Sequence, residues 1–354
     1  MIPVLFSPNA YNNIYNFNYN GLGFLKDCIS CKVTEERNGI YEAEFQYPVN
    51  GVHAGEIGLD SIIKMKASEQ TGEQLFRVYR IKKSMSASIY IYCQHISYDL
   101  LMNVVPPLSA QGVSTLTALN SVLNSCKYSH NFTASTNKNT VRSINIKKPT
   151  PARKALMGVE GSVLDNFGGE YEFDNFEIKL HRTRGTDNGV TIYYGKNMTD
   201  FSYDHNLAST YTSVYPFVVL EDNQVFTLPE GTIETESATD YKEPRTLTLD
   251  LSDKFENGAE VTEALLRQYA QQYISNNMID NIYQNITVSF VQLWQSAEYA
   301  SIAPLEKIGL CDIVTIRYFD VGLSAKAKVV KTVYDVLKEQ YIKIEVGNAK
   351  IVNL

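Results

Sequence analysis

The chain has 354 residues, 44% hydrophobic and 20% charged, which is the balance of a globular protein of two or three domains. Those proportions exclude a largely disordered chain and a collagen-like repeat, and no apolar run approaches the length of a membrane-spanning helix. A formal charge of −7, from 32 Lys and Arg against 39 Asp and Glu, argues against a general nucleic-acid binder.

The first residues, Met1 to Phe6, lack a basic region, and their apolar run is too short for a signal peptide. Five cysteines, an odd number, then predict free thiols in a chain that folds in a reducing cytosol. Pro8 to Asn20 holds six Asn interleaved with Tyr11, Tyr15, Phe17 and Tyr19, the pattern of an irregular arm ordered by what it touches or, equally, of a floppy terminus. From Asp27 to Leu101 strand signals are dense. Ile29, Cys31 and Val33 alternate with polar residues, Asn38-Gly39 marks a hairpin, and further strands fit Ser61–Lys66, Leu75–Lys82 and Ser88–Gln94.

The period changes after Pro106-Pro107. Leu116, Leu119, Val122, Leu123 and Cys126 recur at helical spacing behind Ser114 as N-cap. A second helix opens at Pro151 and a third turn spans Ser162–Phe167, stopped by Gly168-Gly169. Strands resume over Glu170–Arg182, Val190–Tyr194 and Thr210–Leu220, and Pro229–Pro244 reads as an acidic loop. A longer helix covers about Ala259–Met278 with Val261, Leu265, Tyr269 and Tyr273 on one face. Ile286–Leu293 and four strands between Cys311 and Val346 complete the reading, which is mainly β with α/β insertions. With 24 Tyr, 15 Phe and one Trp, the composition suits strands and wet subunit or ligand surfaces.

Chemistry-bearing motifs are weak throughout. Cys28 and Cys31 stand three apart, which on a strand points them to opposite faces, and Cys93, Cys126 and Cys311 are isolated. Gly189 to Asn197 has one spacer residue too many for a phosphate loop, and Asn197 replaces the Mg²⁺-binding hydroxyl. Gly21-Leu22-Gly23 lacks the third glycine of a dinucleotide fingerprint. None of His53, His95, His130, His181 and His205 is followed by Glu, as a zinc-protease helix requires. His95 shares a strand face with Cys93, and Glu234 and Glu236 are paired carboxylates in the acidic loop. Each is read as structural. No catalytic, cofactor-binding or metal-ligating residue is assigned, and no cofactor is expected.

The stretch Asp27-Cys28-Ile29-Ser30-Cys31-Lys32-Val33 through Asn38-Gly39-Ile40-Tyr41-Glu42 resembles the N-terminal signature of phage and prophage tail proteins. These are the "minor structural" or "prophage endopeptidase tail" proteins of long-tailed phages of Gram-positive bacteria. Glu44–Pro48, Leu164–Glu170, Asp187–Ile192, Tyr211–Pro216, Ile308–Asp312 and Lys328–Thr332 match in the same order, so the likeness runs to about Gly347. What the resemblance implies is a baseplate-hub protein with two tube-like β-barrel domains and two smaller inserted domains. Residues 1–101 would form the first barrel and 102–185 an α/β insert. Residues 186–245 and 300–354 would form the second barrel, with 246–299 as a further helix-containing insert. The implied role is a homotrimeric ring at the virion tail tip, assembled in the host cytoplasm. It would cap the tail tube and adapt sixfold to threefold symmetry for DNA passage and host attachment. The implied partners are the distal tail protein, the tape measure protein and a downstream receptor-binding or lysin component, with genome DNA only as passing cargo and no membrane span. The family's endopeptidase label leaves a tail-associated peptidase or cell-wall hydrolase as the alternative, and the tyrosines leave a weaker one, a saccharide-binding module.

Overall fold

The computed structural model describes residues 1–8, 17–83, 85, 87–220, 222–255, 260–277, 279–280, 283–291 and 307–351. Most of the expected Asn-rich arm, residues 9–16, lies outside these. The chain divides into two compact units, Met1–Ser202 with Ile286–Leu354, and Tyr203–Asn285.

Two-residue alternation builds the first seven strands: β1 (Val4–Phe6), β2 (Gly23–Phe24), β3 (Ser30–Glu36), β4 (Tyr41–Pro48), β5 (Ile62–Lys66), β6 (Glu73–Lys83) and β7 (Ser88–His95). They pair antiparallel in the order β3-β4-β7-β6-β5-β1-β2. Asn38, at φ 53°, makes the predicted turn between β3 and β4. The short apolar β1 was missed in the sequence, because three residues carry no detectable period.

The following stretch contains β8 (Val104–Val105), β9 (Leu108–Ser114), α1 (Thr115–Asn124), β10 (Thr133–Thr136), β11 (Val141–Ile146), β12 (Thr150–Pro151), α2 (Ala152–Leu156), α3 (Val163–Phe167), β13 (Glu170–Asp174) and β14 (Glu177–His181). Ser114 Oγ accepts from the Thr117 N–H at 3.2 Å and Ser162 Oγ from Asp165 at 3.3 Å, so the caps read from sequence hold α1 and α3. Pro151 sits just outside α2 rather than in its first turn. The single strand expected over Glu170–Arg182 is a hairpin, because Asn175 at φ 51° reverses the chain.

Next come β15 (Thr191–Tyr193) and β16 (Met198–Asn206), then the strands of the smaller unit: β17 (Ser213–Val219), β18 (Val225–Thr227), β19 (Ile233–Glu234), β20 (Thr246–Asp250), with helix α4 (Glu263–Asn277). β17 is the centre of that sheet, antiparallel to β18 and β19 and parallel to β20. The buried residues of α4 are Leu266 and Ala270, flanked by Tyr269 and Tyr273, while Leu265 is 37% exposed. Three of the four residues of the predicted stripe, Val261, Tyr269 and Tyr273, pack against this core beside Leu266 and Ala270, while Leu265 turns outward. Residues 203–245, grouped by sequence with 300–354, share this sheet and core with 246–285.

The chain closes with β21 (Tyr283–Phe290), β22 (Ile313–Tyr318), β23 (Leu323–Asp335) and β24 (Gln340–Ile351). Three strands, not four, follow Cys311, because β23 runs thirteen residues without a break. Its first half pairs with β22 and its last five residues with β3, while β24 covers its other side. The result is one 13-stranded sheet in which β15-β22-β23-β24-β21-β16 is continuous with the first seven strands through the β3–β23 ladder. Among the described residues no strand pairing closes either half into a barrel. In each half, however, the two end strands, β2 with β3 and β15 with β16, are consecutive in the chain and joined by a short connection.

Tyr41, Tyr47, Tyr171 and Tyr334 are among the largest fully buried side chains, so several tyrosines read as surface material fill the interior. Tyr334 lies in the β3–β23 ladder, and its hydroxyl donates to Glu69 Oε1 at 2.7 Å. Truncating Tyr334→Ala is expected to lower the unfolding free energy in urea by about 3–5 kcal/mol. Met85→Ala, at a fully exposed position, is expected to stay within about 0.5 kcal/mol. Equal losses in the two variants would contradict the placement of this ladder in the core.

Candidate functional site

Short polar stretches converge where β3, the β13–β14 hairpin and β23 meet. Arg184 is 6% exposed, and its Nη1 donates to Glu35 Oε1 at 2.8 Å and to the Tyr171 carbonyl at 3.2 Å. The Arg184 backbone N–H donates to Glu170 Oε2 at 2.6 Å, and Lys328 Nζ reaches both Glu170 oxygens at 2.8 Å. Arg37 adds a longer contact to Glu170 at 3.4 Å. Next to this group, Glu172 accepts from His181 Nε2 at 2.9 Å and Lys179 Nζ at 3.2 Å. Gly185 follows at φ 80°, and a Cβ there would stand 2.2 Å from the Cys311 carbonyl oxygen, so only glycine fits. Asp312 then ties three segments together, accepting from Gly309 N–H at 2.8 Å, Thr186 N–H at 2.7 Å and Gln70 Nε2 at 3.1 Å.

A cavity of about 340 Å³ opens beside these groups, lined by Gln70, Thr71, Glu172, His181, Thr183, Arg184 and Gly185. Its charges are already spent on each other. His181 faces Glu172, and Arg184 faces Glu35, so the cavity holds neither an unengaged base nor a base aimed at a nucleophile. Among the described residues two buried side-chain atoms, Glu35 Oε2 and the Tyr41 hydroxyl, have no hydrogen-bond partner. Chemically, the arrangement is a polar weld between strands. A second depression of about 330 Å³ lies on the outer face of β3, β4 and β7, lined by Lys32, Glu44, Tyr90 and Tyr92 among others. There the Arg80 guanidinium already covers the Tyr92 ring at 5.0 Å, which removes that face as a stacking platform for a sugar.

The residues singled out in the sequence are scattered. Cys28 lies ahead of β3, so strand alternation does not separate it from Cys31, and the thiol of Cys31 is held up first by its contact with Cys28 and then by burial. All five cysteines are free thiols, and burial alone raises the Cys93 thiol. Among the described residues no group of three or more His, Cys, Asp or Glu could hold a metal ion. Cys93 and His95 do share the inner face of β7. His95 is buried, bonded to Gln74 Oε1 at 3.1 Å and Ser97 Oγ at 3.0 Å, and stacked on Tyr41. Burial and then Arg153 press its pKa well below the ordinary value, so it is a neutral core histidine. His53 pairs with Glu56, His130 bonds the Leu123 carbonyl at 3.0 Å, and the His205 side chain lies outside the described residues. Asn197 closes a turn by accepting from the Tyr193 N–H at 3.0 Å, and Glu234 and Glu236 are exposed. Gly23 packs against the His53 ring.

No protein-family model matches the sequence, and no curated protein matches it. Solved structures do match across nearly its whole length. Prophage tail protein gp18 from Listeria monocytogenes EGD-e superposes with a TM-score of 0.62 at 13% identity, covering 98% of this chain and 94% of that one. The prophage MuSo2 43 kDa tail protein from Shewanella oneidensis gives 0.64 at 10% identity, covering 100% and 98%. The chain has the fold of prophage tail proteins. A tail protein from Neisseria meningitidis MC58 agrees, with a TM-score of 0.61 at 10% identity and coverage of 99% and 96%. In this tail-protein fold the charged weld joins the last strands to the first, a role that residue type alone could not disclose. Arg184, Glu35, Glu170 and Lys328 were not singled out in the sequence, because they lie up to 293 positions apart with no shared spacing.

Replacing Arg184→Met is expected to cost about 3–5 kcal/mol in urea unfolding, because Glu35 is left buried and uncompensated. Adding Glu35→Leu should return most of that loss, and a double variant no better than the single one would refute the pairing. Glu172 is pulled down to about 2 from 4.5, first by the hydrogen bond from His181 and, against burial, by Arg184 and Lys179. A carboxyl lowered on folding adds stability above its unfolded value and loses it as the pH falls. Glu172→Gln is therefore expected to flatten the loss of stability between about pH 4.5 and pH 2 in a denaturant titration series.

Proposed function

We propose that this chain is a structural protein of the tail tip of a long-tailed phage or prophage, a homotrimeric ring that caps the tail tube. The observation that carries the reading is the topology of the large unit. Each half of its sheet starts and ends on strands adjacent in sequence, which is the connectivity a barrel would need, and the β3–β23 ladder joins the two halves edge to edge. Two similar barrel-like bodies in one chain become six when three chains surround an axis, which lets a threefold ring meet a sixfold tube. Strand edges left open in the single chain would be satisfied by neighbours in the ring.

On this reading the distal tail protein and tape measure bind the ring on its tube side, and a receptor-binding or lysin component binds beyond it. Genome DNA passes through without adhering, since a chain of net charge −7 repels phosphate. The fold-level likeness to three tail proteins supports the reading. Among the described residues His53, His95, His130 and His181 each have a packing or ion-pair partner, and His95, the one bonded to a hydroxyl (Ser97 Oγ), is fully buried, which favours the structural reading over the hydrolase alternative.

Light scattering on the purified chain over a concentration series is expected to approach three times the monomer mass. Cryo-electron microscopy of the assembled tail should show three copies at the tip, with two halves per copy related by a rotation near sixty degrees. A different copy number there would overturn the ring. In zymography on Gram-positive cell walls the chain alone is expected to give no clearing, and clearing would establish the hydrolase alternative instead.

A further inference from the structure

Charge is distributed very unevenly along the chain. Residues 100–159 contain seven Lys and Arg and no Asp or Glu, in a protein whose total charge is −7. The smaller unit, Tyr203–Asn285, carries 14 acidic and 4 basic side chains, a net charge of −10.

The basic stretch gathers part of its charge around an exposed apolar spot. The Lys127 N–H donates to the Val104 carbonyl at 2.9 Å, and Val104 pairs with Pro151 in the β8–β12 ribbon. Thr150 Oγ1 holds the Lys148 carbonyl at 2.8 Å, and Lys154 lies on α2 directly after the ribbon. Lys127, Lys148 and Lys154 are all exposed. Asn103 bonds the Tyr128 backbone in both directions at 2.8 and 3.1 Å, which holds the segments carrying Met102, Val104 and Tyr128 side by side. Met102 is 83% exposed, Tyr128 67% and Val104 39%. Aromatic and Met anchors within a polar rim are the composition of an interface centre.

The smaller unit bears the complement. One face of its sheet is covered by α4, with Val218 and Leu249 buried there. On the other face Val219 and Val225 are paired across β17 and β18 and are 41% and 58% exposed. Asp250 shares that face through its register with Phe217, and Asp222 stands in the turn between β17 and β18; both are exposed. Here the apolar pair is flanked by carboxylates instead of lysines.

We propose that the Met102/Val104/Tyr128 patch with its three lysines docks onto the Val219/Val225 face of a second copy of this chain. Two different patches that fit each other make a head-to-tail contact, the kind that closes into a ring when the rotation allows. The proposal rests on the ring reading above and names the surfaces that join its members. A second copy is favoured over a nucleic acid because the matching face is both acidic and apolar, whereas phosphate contact uses lysines and leaves exposed Met and Tyr without a partner.

The test is carbodiimide cross-linking, which joins Lys to carboxylate, on an equal mixture of ¹⁴N- and ¹⁵N-labelled full-length chains. Mixed-isotope links from Lys127, Lys148 or Lys154 to carboxylates of residues 203–285 are expected. Same-isotope links alone would mean the charges pair within one chain and would overturn the proposal. Association followed by light scattering should weaken at least about tenfold between 50 and 500 mM NaCl and in a Lys127→Glu/Lys148→Glu/Lys154→Glu variant. Mixing that variant with Asp222→Lys/Asp250→Lys should restore association, which also shows that both are folded. A trimer indifferent to salt and to the reversals would leave the ring reading standing and sink this interface. Retention of the wild-type chain on duplex DNA or heparin, lost in the lysine variant while self-association persists, would identify a polyanion as the occupant and equally overturn it.

Discussion

The five residue pairs between the end of β23 and β3 are the constraint on which the large unit depends. Lys331 to Asp335 lie opposite Glu36 to Lys32, so residues more than 290 positions apart in the chain share a ladder. Without it the first seven strands and the last six would be separate sheets. The pairing is long-range and antiparallel, and its register is set by burial: Thr332 and Tyr334 face inward with Val33 and Glu35, and a slip of one residue would turn all of them outward. A contact of this sequence separation closes a large loop, so it forms only after local hairpins have reduced the entropy cost.

The charges at that junction act on specificity more than on stability. Burying Arg184 with Glu35 and Lys328 with Glu170 returns little net energy against apolar residues of equal size, because desolvation consumes most of the Coulomb gain. Any other register, however, would leave one of these ions buried alone, at a far greater cost. Asp312 does the same for the loop at Gly309 and for the tip at Gln70, where three donors arrive from three segments. The glycines at 185 and 309 are there because neighbouring groups occupy the space a side chain would take.

At its other end the β23–β24 hairpin is held by the chain's own start. The Met1 ammonium donates to the Val336 carbonyl at 3.0 Å and pairs with Glu339, which also takes Lys66 at 2.9 Å. These ions are part-exposed and contribute little each, but together they anchor the turn that ends the long strand. The middle of β23 and its C-terminal end are thus fixed by different means, ion pairs at Lys328 and opposite Thr332 and the Met1 ammonium at the turn after Asp335.

Local chemistry was readable directly from the chain. The Asn38-Gly39 turn, the caps at Ser114 and Ser162, the glycine stop at Gly168 and the period-two strands from Asp27 onward depend on neighbours within a few positions, and propensity reports those. Other features were not readable, among them the unbroken length of β23, the hairpin hidden at Asn175, and the burial of Leu266 and Ala270 on α4 in place of Leu265. In each case local signals were evenly balanced, and packing against distant residues decided the outcome. Cys28 and Cys31 make the same point in reverse, since a rule valid for strands fails for a residue lying just before one. The charged weld was invisible for a simpler reason. Glu35, Glu170, Arg184 and Lys328 look like ordinary surface ions until the strand ladder removes water from around them, and only the folded chain does that.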